Sequence, residues 1–162
     1  MSTFEAYLEQ CRDRIKTYGF VIQQAGSNGW AYTIGLAPTL GYELACVGLP
    51  PEVTFPVINN LAAFLKSKDV PDEQPIAEVA NQPVVLRTIS LNEEPEIEVL
   101  LGVARALEMI PGNLRQMFWP DPSGHFPGSA EYSFPNAQDL RAIAAEEVRL
   151  RRAMASRSKK LH

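Results

Sequence analysis

Apolar residues recur at helical spacing in four stretches of the chain and form strand-like runs in five others. Phe4, Tyr7, Leu8, Cys11 and Ile15 make the first helical stripe. Ser2 and Glu5 stand in capping-box positions before it, and Tyr18-Gly19 supplies the stop. The segment from Phe20 to Gln24 reads as a strand. Ser27-Asn28-Gly29 carries the Asn-Gly turn signal, and Trp30 to Leu36 returns as the second strand of a hairpin. Its alternation puts Trp30, Tyr32 and Ile34 on one face and the small residues Ala31, Thr33 and Gly35 on the other. A small-faced strand admits close approach of a backbone, a helix or a ligand, and close packing is the plainer reading.

Ala37 to Tyr42 reads as a loop, and Glu43 to Leu49 as a strand buried on both faces. Pro50-Pro51 opens a helix with the stripe Val57, Ile58, Leu61, Phe64 and Leu65, with Pro56 in its first turn and Thr54 as a candidate cap. Lys66 to Pro83, polar and proline-bearing, is expected to be a long surface loop, mobile or functional, with a short edge strand near Ile76 to Val79. Val84 to Ile89 is a strand. Asn92 then caps one helix carrying Ile97, Leu100, Leu101, Ala104 and Leu107, which Ile110-Pro111-Gly112 stops. Leu114 to Trp119 is the last clear strand, followed by the turn Asp121-Pro122-Ser123-Gly124. Gly128 to Phe134 reads as loop or weak strand. From Pro135 a thin stripe of Leu140, Ile143, Ala144, Val148, Leu150 and Met154 predicts a closing helix whose basic end frays. Strands and helices alternate irregularly and one hairpin is antiparallel. The expected fold is a single α+β domain, a mixed and mostly antiparallel sheet flanked by helices, over residues 1–135, with a C-terminal helix and basic tail over 136–162.

Composition narrows the class. The 162 residues are 46% apolar and 21% charged, with a net charge of −4, the balance of a globular protein that can bury its own core. The first ten residues carry two acids and no apolar run, unlike a signal peptide, and no stretch approaches the ~18 apolar residues of a membrane span. Cys11 and Cys46 lie far apart inside apolar patterns, without the spacing of a metal site, and read as buried free thiols. A cytoplasmic protein is expected. Arg149, Arg151, Arg152, Arg157, Lys159 and Lys160 near the C-terminus raise the question of nucleic acid. An acidic remainder with no base-reading motif favours a solvated helix end or a docking arm.

Candidate chemistry is sparse. The sequence holds no phosphate-loop, dinucleotide, nucleophile-elbow or zincin motif, and its two histidines, His125 and His162, leave no histidine-rich metal site. His125 reads either as an exposed turn residue or as a general base near Asp121. Trp119 reads as core packing at a strand end or as a stacking surface. Tyr32 and Thr33 could direct hydroxyls to a pocket, although a strand hydroxyl is more often satisfied by neighbouring backbone. Arg87 and Arg115 are expected on solvated strand faces. The candidate ligand-binding set is therefore Trp30, Tyr32, Thr33, Trp119, Asp121 and His125, with no catalytic residue, metal or cofactor assigned.

The order of Gly29-Trp30-Ala31-Tyr32-Thr33-Ile34-Gly35-Leu36, then Val47-Gly48-Leu49-Pro50-Pro51-Glu52, Ile58-Asn59-Asn60-Leu61, Trp119-Pro120-Asp121 and Gly124-His125-Phe126-Pro127 resembles a small bacterial family known as a domain of unknown function, DUF4262. The resemblance covers roughly residues 17–130. It departs after Pro127, where Gly128-Ser129-Ala130-Glu131-Tyr132 replaces an expected Trp or acidic-Pro-Gly segment, and it supplies no catalytic residues. The expected function is that of a binding or interaction protein of immunity or regulatory type, with a protein partner or self-association. The alternative is a small enzyme or a flavin- or nucleotide-binding protein with its site between the YTIGL strand and the WPD turn.

Overall fold

The sixteen-residue helix α1, Thr3–Tyr18, begins on the expected capping box: the Ser2 hydroxyl accepts from the Glu5 amide and the Glu5 carboxylate accepts from the Ser2 amide. It stops at Gly19, whose φ of 91° is the left-handed conformation a helix end needs. The computed structural model describes residues 2–25 and 29–160, with Lys159 and Lys160 described only in their backbone. The Ser27-Asn28 part of the expected turn, the side chains of Lys159 and Lys160, and His162 lie outside the described residues.

The strands β1 (Val21–Ala25), β2 (Trp30–Ile34), β3 (Glu43–Val47), β4 (Val85–Ser90) and β5 (Asn113–Phe118) form one sheet in the order β1-β2-β3-β5-β4. Only β3 and β5 run parallel; the other three pairs are antiparallel. Helices cover both faces, so the protein is a single α+β domain. Helix α3 (Pro51–Ser67) lies on one face, where Ile58, Leu61 and Leu65 meet Leu44, Cys46, Leu86 and Met117. Each such fully buried side chain contributes about 1.5–3 kcal/mol. On the other face, Trp30, Tyr32, Ile34, Ala45 and Leu114 pack against Cys11 of α1. Also against them lie Ala104 of α5 (Gly102–Ala106) and Leu140 and Ala144 of α6 (Leu140–Lys160).

Gly35, just past the end of β2, marks the close approach expected of the small face. A Cβ there would lie 2.6 Å from the Gly19 carbonyl oxygen and 2.9 Å from the Phe20 Cα, so backbone packs directly against it. The close approach is protein on protein.

Several expectations are corrected. Ala37 to Tyr42 is not simply loop: Ala37–Leu40 form the short helix α2, with Pro38 in its first turn, where its missing N–H costs nothing. The helix expected after Asn92 is two pieces, α4 (Pro95–Glu98) and α5, neither with a side-chain cap. They separate just before Gly102, a poor helix former. Pro56 lies inside α3, beyond its first turn, because the helix starts at Pro51. The Thr54 hydroxyl donates to the Leu49 carbonyl instead of capping.

The Lys66–Pro83 connection is tied down. Val70, Ile76 and Val79 are buried in the α3-side core, and the expected edge strand is reduced to one bridge between Ile76 and Val84. Its apolar residues are widely spaced, so they give no periodic signal yet still reach the sheet. Phe4 and Tyr7 are exposed, because only the Leu8–Cys11 side of α1 meets the sheet. Leu150 and Met154 are exposed as well, and α6 continues as helix to Lys160 instead of fraying.

Arg115, expected in solvent, is buried. Its Nη2 donates to Asp72 Oδ1 at 2.7 Å and to the Val70 carbonyl at 2.7 Å, and its guanidinium lies 5.0 Å from the centre of the Tyr42 ring. The Arg115 side chain is thus the peg on which the long connection hangs.

Candidate binding site

Strand β5 ends at Phe118, and the next residues form a clasp. The Trp119 indole Nε1 donates to the Val47 carbonyl at 3.0 Å, joining the end of β5 to the end of β3. Asp121 is fully buried and uses both carboxylate oxygens. Oδ1 accepts from the amides of Ser123 and His125, both at 2.9 Å; Oδ2 accepts from the amide and hydroxyl of Ser133 at 3.0 and 3.1 Å. Burial alone would raise this carboxyl. The donors from His125, Ser133 and Ser123 outweigh it and hold the group below the usual Asp value. The carboxylate therefore has no lone pair left for a proton-transfer role. Asp121→Asn places an amide N–H against two donors, and the expected outcome is backbone exchange at Ser133 or His125 faster by on the order of tenfold, read by hydrogen–deuterium exchange. Unchanged protection across residues 121–133 would show that the clasp does not depend on the charge.

His125 is half-buried, not a free turn residue. Its Nε2 lies 2.7 Å from Glu131 Oε2, and its Nδ1, 3.7 Å from Asp121 Oδ2, is buried without a hydrogen-bond partner. The Ser133 hydroxyl, bonded to the same Asp121 Oδ2, is committed to the clasp.

The clasp throws residues 127–139 across the sheet as an arm. Gln138 fastens its far end: Oε1 accepts from the Trp119 amide at 3.0 Å, and Nε2 donates to the Trp119 carbonyl and the Tyr132 hydroxyl at 2.7 and 2.8 Å. Gly48 lets the arm sit close, since a Cβ there would lie 2.6 Å from the Ala137 carbonyl oxygen. Between arm and sheet a cleft of about 650 Å³ remains, within the range of small-molecule sites. Arg87, Gln116 and Phe118 form its floor, and Pro127, Tyr132 and Pro135 belong to its walls.

The six residues singled out from the sequence do not share a pocket. Trp30 and Tyr32 are buried and stack with ring centres 5.1 Å apart, facing Cys11 and Ala104. Burial pushes the Tyr32 hydroxyl up to about 12. Thr33 points the other way: its hydroxyl donates to Glu43 and accepts from the Leu44 amide. Trp119 borders a second cavity of about 380 Å³ with Leu49, Val57 and Val79 on the α3 side. Only Trp119, Asp121 and His125 come together, and they do so as the clasp. Burial likewise pushes the Cys46 thiol up to about 12, and the residue is 1% exposed.

Gln116, Gln138 and Glu43 were missed from the sequence. Gln116 had a legible signal, since it falls between Leu114 and Phe118 on the inward register of an apolar strand. Glu43, 1% exposed at the start of β3, accepts from the Thr33 hydroxyl and from the amides of Gly35, Leu36 and Ala37 at 2.8–3.0 Å. It is sealed inside the fold and organises the β2–α2 turn.

A third feature lies at the sheet margin. Strand β4 is covered along its outer side: Asp72 accepts from the Thr88 amide, the Glu73 amide donates to the Leu86 carbonyl, and Ile76 bridges Val84. Strand β1 ends the sheet on the opposite side. Among the described residues, no backbone group outside the hairpin pairs with it. Beside it runs a groove of about 580 Å³ lined by Arg14, Tyr18, Phe20, Ile22, Phe55 and Asn59, in which Tyr18 is 73% exposed.

The fold defines a small single-domain α+β protein with a mixed five-stranded sheet. The family described as a domain of unknown function, DUF4262, matches residues 14–133, and the chain belongs to that family. No curated protein and no solved structure matches the chain. The family match ends at Ser133, the residue that closes the Asp121 clasp, so the second half of the arm and α6 lie beyond it. No described helix is long and apolar enough to cross a membrane.

Proposed function

We propose that this protein acts by binding, as an interaction protein of immunity or regulatory type in the bacterial cytoplasm, and that a second copy of the chain is its first partner. The observation that carries the reading is the open β1 edge. An uncovered edge strand presents a row of backbone donors and acceptors to another strand. Val21–Ala25 contains no proline and no charge, the devices that ordinarily keep an edge from pairing. Tyr18 and Phe55 beside it are the exposed aromatic residues a partner would cover. Antiparallel pairing of two β1 strands across a two-fold axis would join the sheets without like-charge opposition. The buried free thiols Cys11 and Cys46 suit a reducing compartment.

Sedimentation velocity over a concentration series tests this. A dimer is expected, and the double substitution Tyr18→Glu, Phe55→Glu is expected to raise its dissociation constant at least about tenfold by removing apolar contact and adding repulsion. A monomer throughout the series, or a dimer indifferent to the double substitution, would overturn the proposal.

A further inference from the structure

The cleft under the arm holds a pair of unmatched hydrogen-bonding atoms on its floor. Gln116 lies in β5, between β3 and β4, and is 2% exposed. Its Nε2 donates to the Gln138 carbonyl at 2.8 Å, which fixes which end of the amide is which. Its Oε1 accepts nothing from the described residues, yet it is not among the side-chain atoms sealed away without a partner, so it opens on the cleft. An amide oxygen that opens on a cleft takes its donor from water or from a ligand.

Directly opposite Gln116 in the β4–β5 register is Arg87. Facing residues of an antiparallel pair hold their Cβ atoms about 4.5–5.5 Å apart. The Arg87 guanidinium lies 4.6 Å from the centre of the Phe118 ring, and its Nε and Nη2 are held by Glu73 at 2.6 and 3.3 Å. Its Nη1 is left over, and this end of the guanidinium points towards Gly128 of the arm. The floor therefore draws an acceptor and a donor from facing positions of neighbouring strands, the donor's side chain anchored by Glu73. The basic residues are matched, Arg87 with Glu73 and Arg141 with Glu94, and the lining Asp139 accepts from the Ala142 amide, so the cleft has no surplus positive charge for an anion.

The complement of an adjacent acceptor and donor is an adjacent N–H and C=O. We propose that the cleft binds a small, flat, uncharged cyclic amide or imide, its N–H on Gln116 Oε1, its carbonyl on Arg87 Nη1, and its ring between Phe118 and Tyr132. Both the pyrimidinedione of a nucleoside and the corresponding ring edge of a flavin carry this group. Binding in the cleft requires neither the β1 edge nor a particular oligomeric state.

Isothermal titration of the full-length protein with uridine, 3-methyluridine and riboflavin tests it. Uridine or riboflavin is expected to bind, and which of the two binds names the source of the imide. For uridine, N3 methylation is expected to abolish binding by removing the donor. Arg87→Met is expected to weaken binding of whichever ligand is taken at least tenfold, and Gln116→Leu to do the same. Gln116→Leu also loses the bond to the Gln138 carbonyl, so its folding is checked by circular dichroism. Arg87→Met, whose ion-pair partner is exposed, carries the test if the Gln116 variant unfolds. Binding of neither ligand at millimolar concentration would overturn the proposal. So would uridine binding indifferent to N-methylation, or binding of either ligand indifferent to Arg87→Met.

Discussion

Glu43→Ala is expected to lower the unfolding free energy by about 4 kcal/mol or more, enough to leave much of the protein unfolded. The carboxylate accepts from four donors: the Thr33 hydroxyl and the Gly35, Leu36 and Ala37 amides. Each buried donor left without an acceptor costs about 1–3 kcal/mol, reduced where water can enter. Glu43→Gln is milder, at about 2 kcal/mol. An amide nitrogen turned towards Thr33 can donate to its oxygen but leaves the Leu36 amide without an acceptor. The pH dependence separates the charge from the hydrogen bonds. Burial raises the Glu43 carboxyl above its ordinary value of 4.5, and its four donors bring it only part of the way back. Above pH 4.5 the folded protein then holds a proton that the unfolded chain releases. The stabilisation is complete below 4.5 and is lost as pH rises through the folded-state value. The glutamine variant has no such dependence. The advantage of the natural protein over the Glu43→Gln variant in urea-unfolding midpoints should therefore shrink from pH 4 to pH 7; a gap that widens would refute this.

The second large effect is asymmetric. Asp72→Ala is expected to cost about 3 kcal/mol and Arg115→Met about 1 kcal/mol. The Arg115 side chain is 7% exposed and Asp72 39%. Removing the carboxylate strands a buried cation, whereas removing the cation leaves an acid that water can reach and that still accepts from the Thr88 amide and hydroxyl. Methionine also keeps the apolar stem against Tyr42. Burial alone would raise the Asp72 carboxyl, but the bonds from Arg115 and Thr88 prevail and hold it below the ordinary value of 3.8. Its contribution is present above that value and is lost as pH falls through the folded-state one. This is the opposite sense to Glu43. Chemical denaturation of the two variants at neutral pH decides the matter: equal losses, or a larger loss for Arg115→Met, would contradict the asymmetry.

Both effects bear on what the chain could reveal unaided. The strand pattern from Trp30 to Ile34, the double burial of β3 and the Ser2–Glu5 cap are set by residues that are neighbours or nearly so, and their spacing displays them directly. The family was legible for the same reason, because its motifs are short and contiguous. Arg115 was misplaced in solvent because its partner Asp72 lies 43 positions earlier, in a connection with no periodic pattern. Gln116 carried only the local signal of a polar residue on the inward register of an apolar strand. Only the order β3-β5-β4 makes it central, sets it opposite Arg87 and brings the arm over it.

The candidate set of Trp30, Tyr32, Thr33, Trp119, Asp121 and His125 joined residue types suited to ligands, but strand alternation sends Thr33 away from Tyr32, and the Trp119–Asp121 turn spends its polar atoms on itself. By itself the sequence determined the main strands and long helices, the fold class and the family, since helical and strand periodicity report which face of each segment avoids water; the short helix α2 and the break between α4 and α5 carry no such period. The tertiary structure alone decided which buried polar atoms are satisfied, which edge of the sheet is covered and where a cleft remains. Those outcomes depend on partners distant in the chain, and no local pattern encodes them.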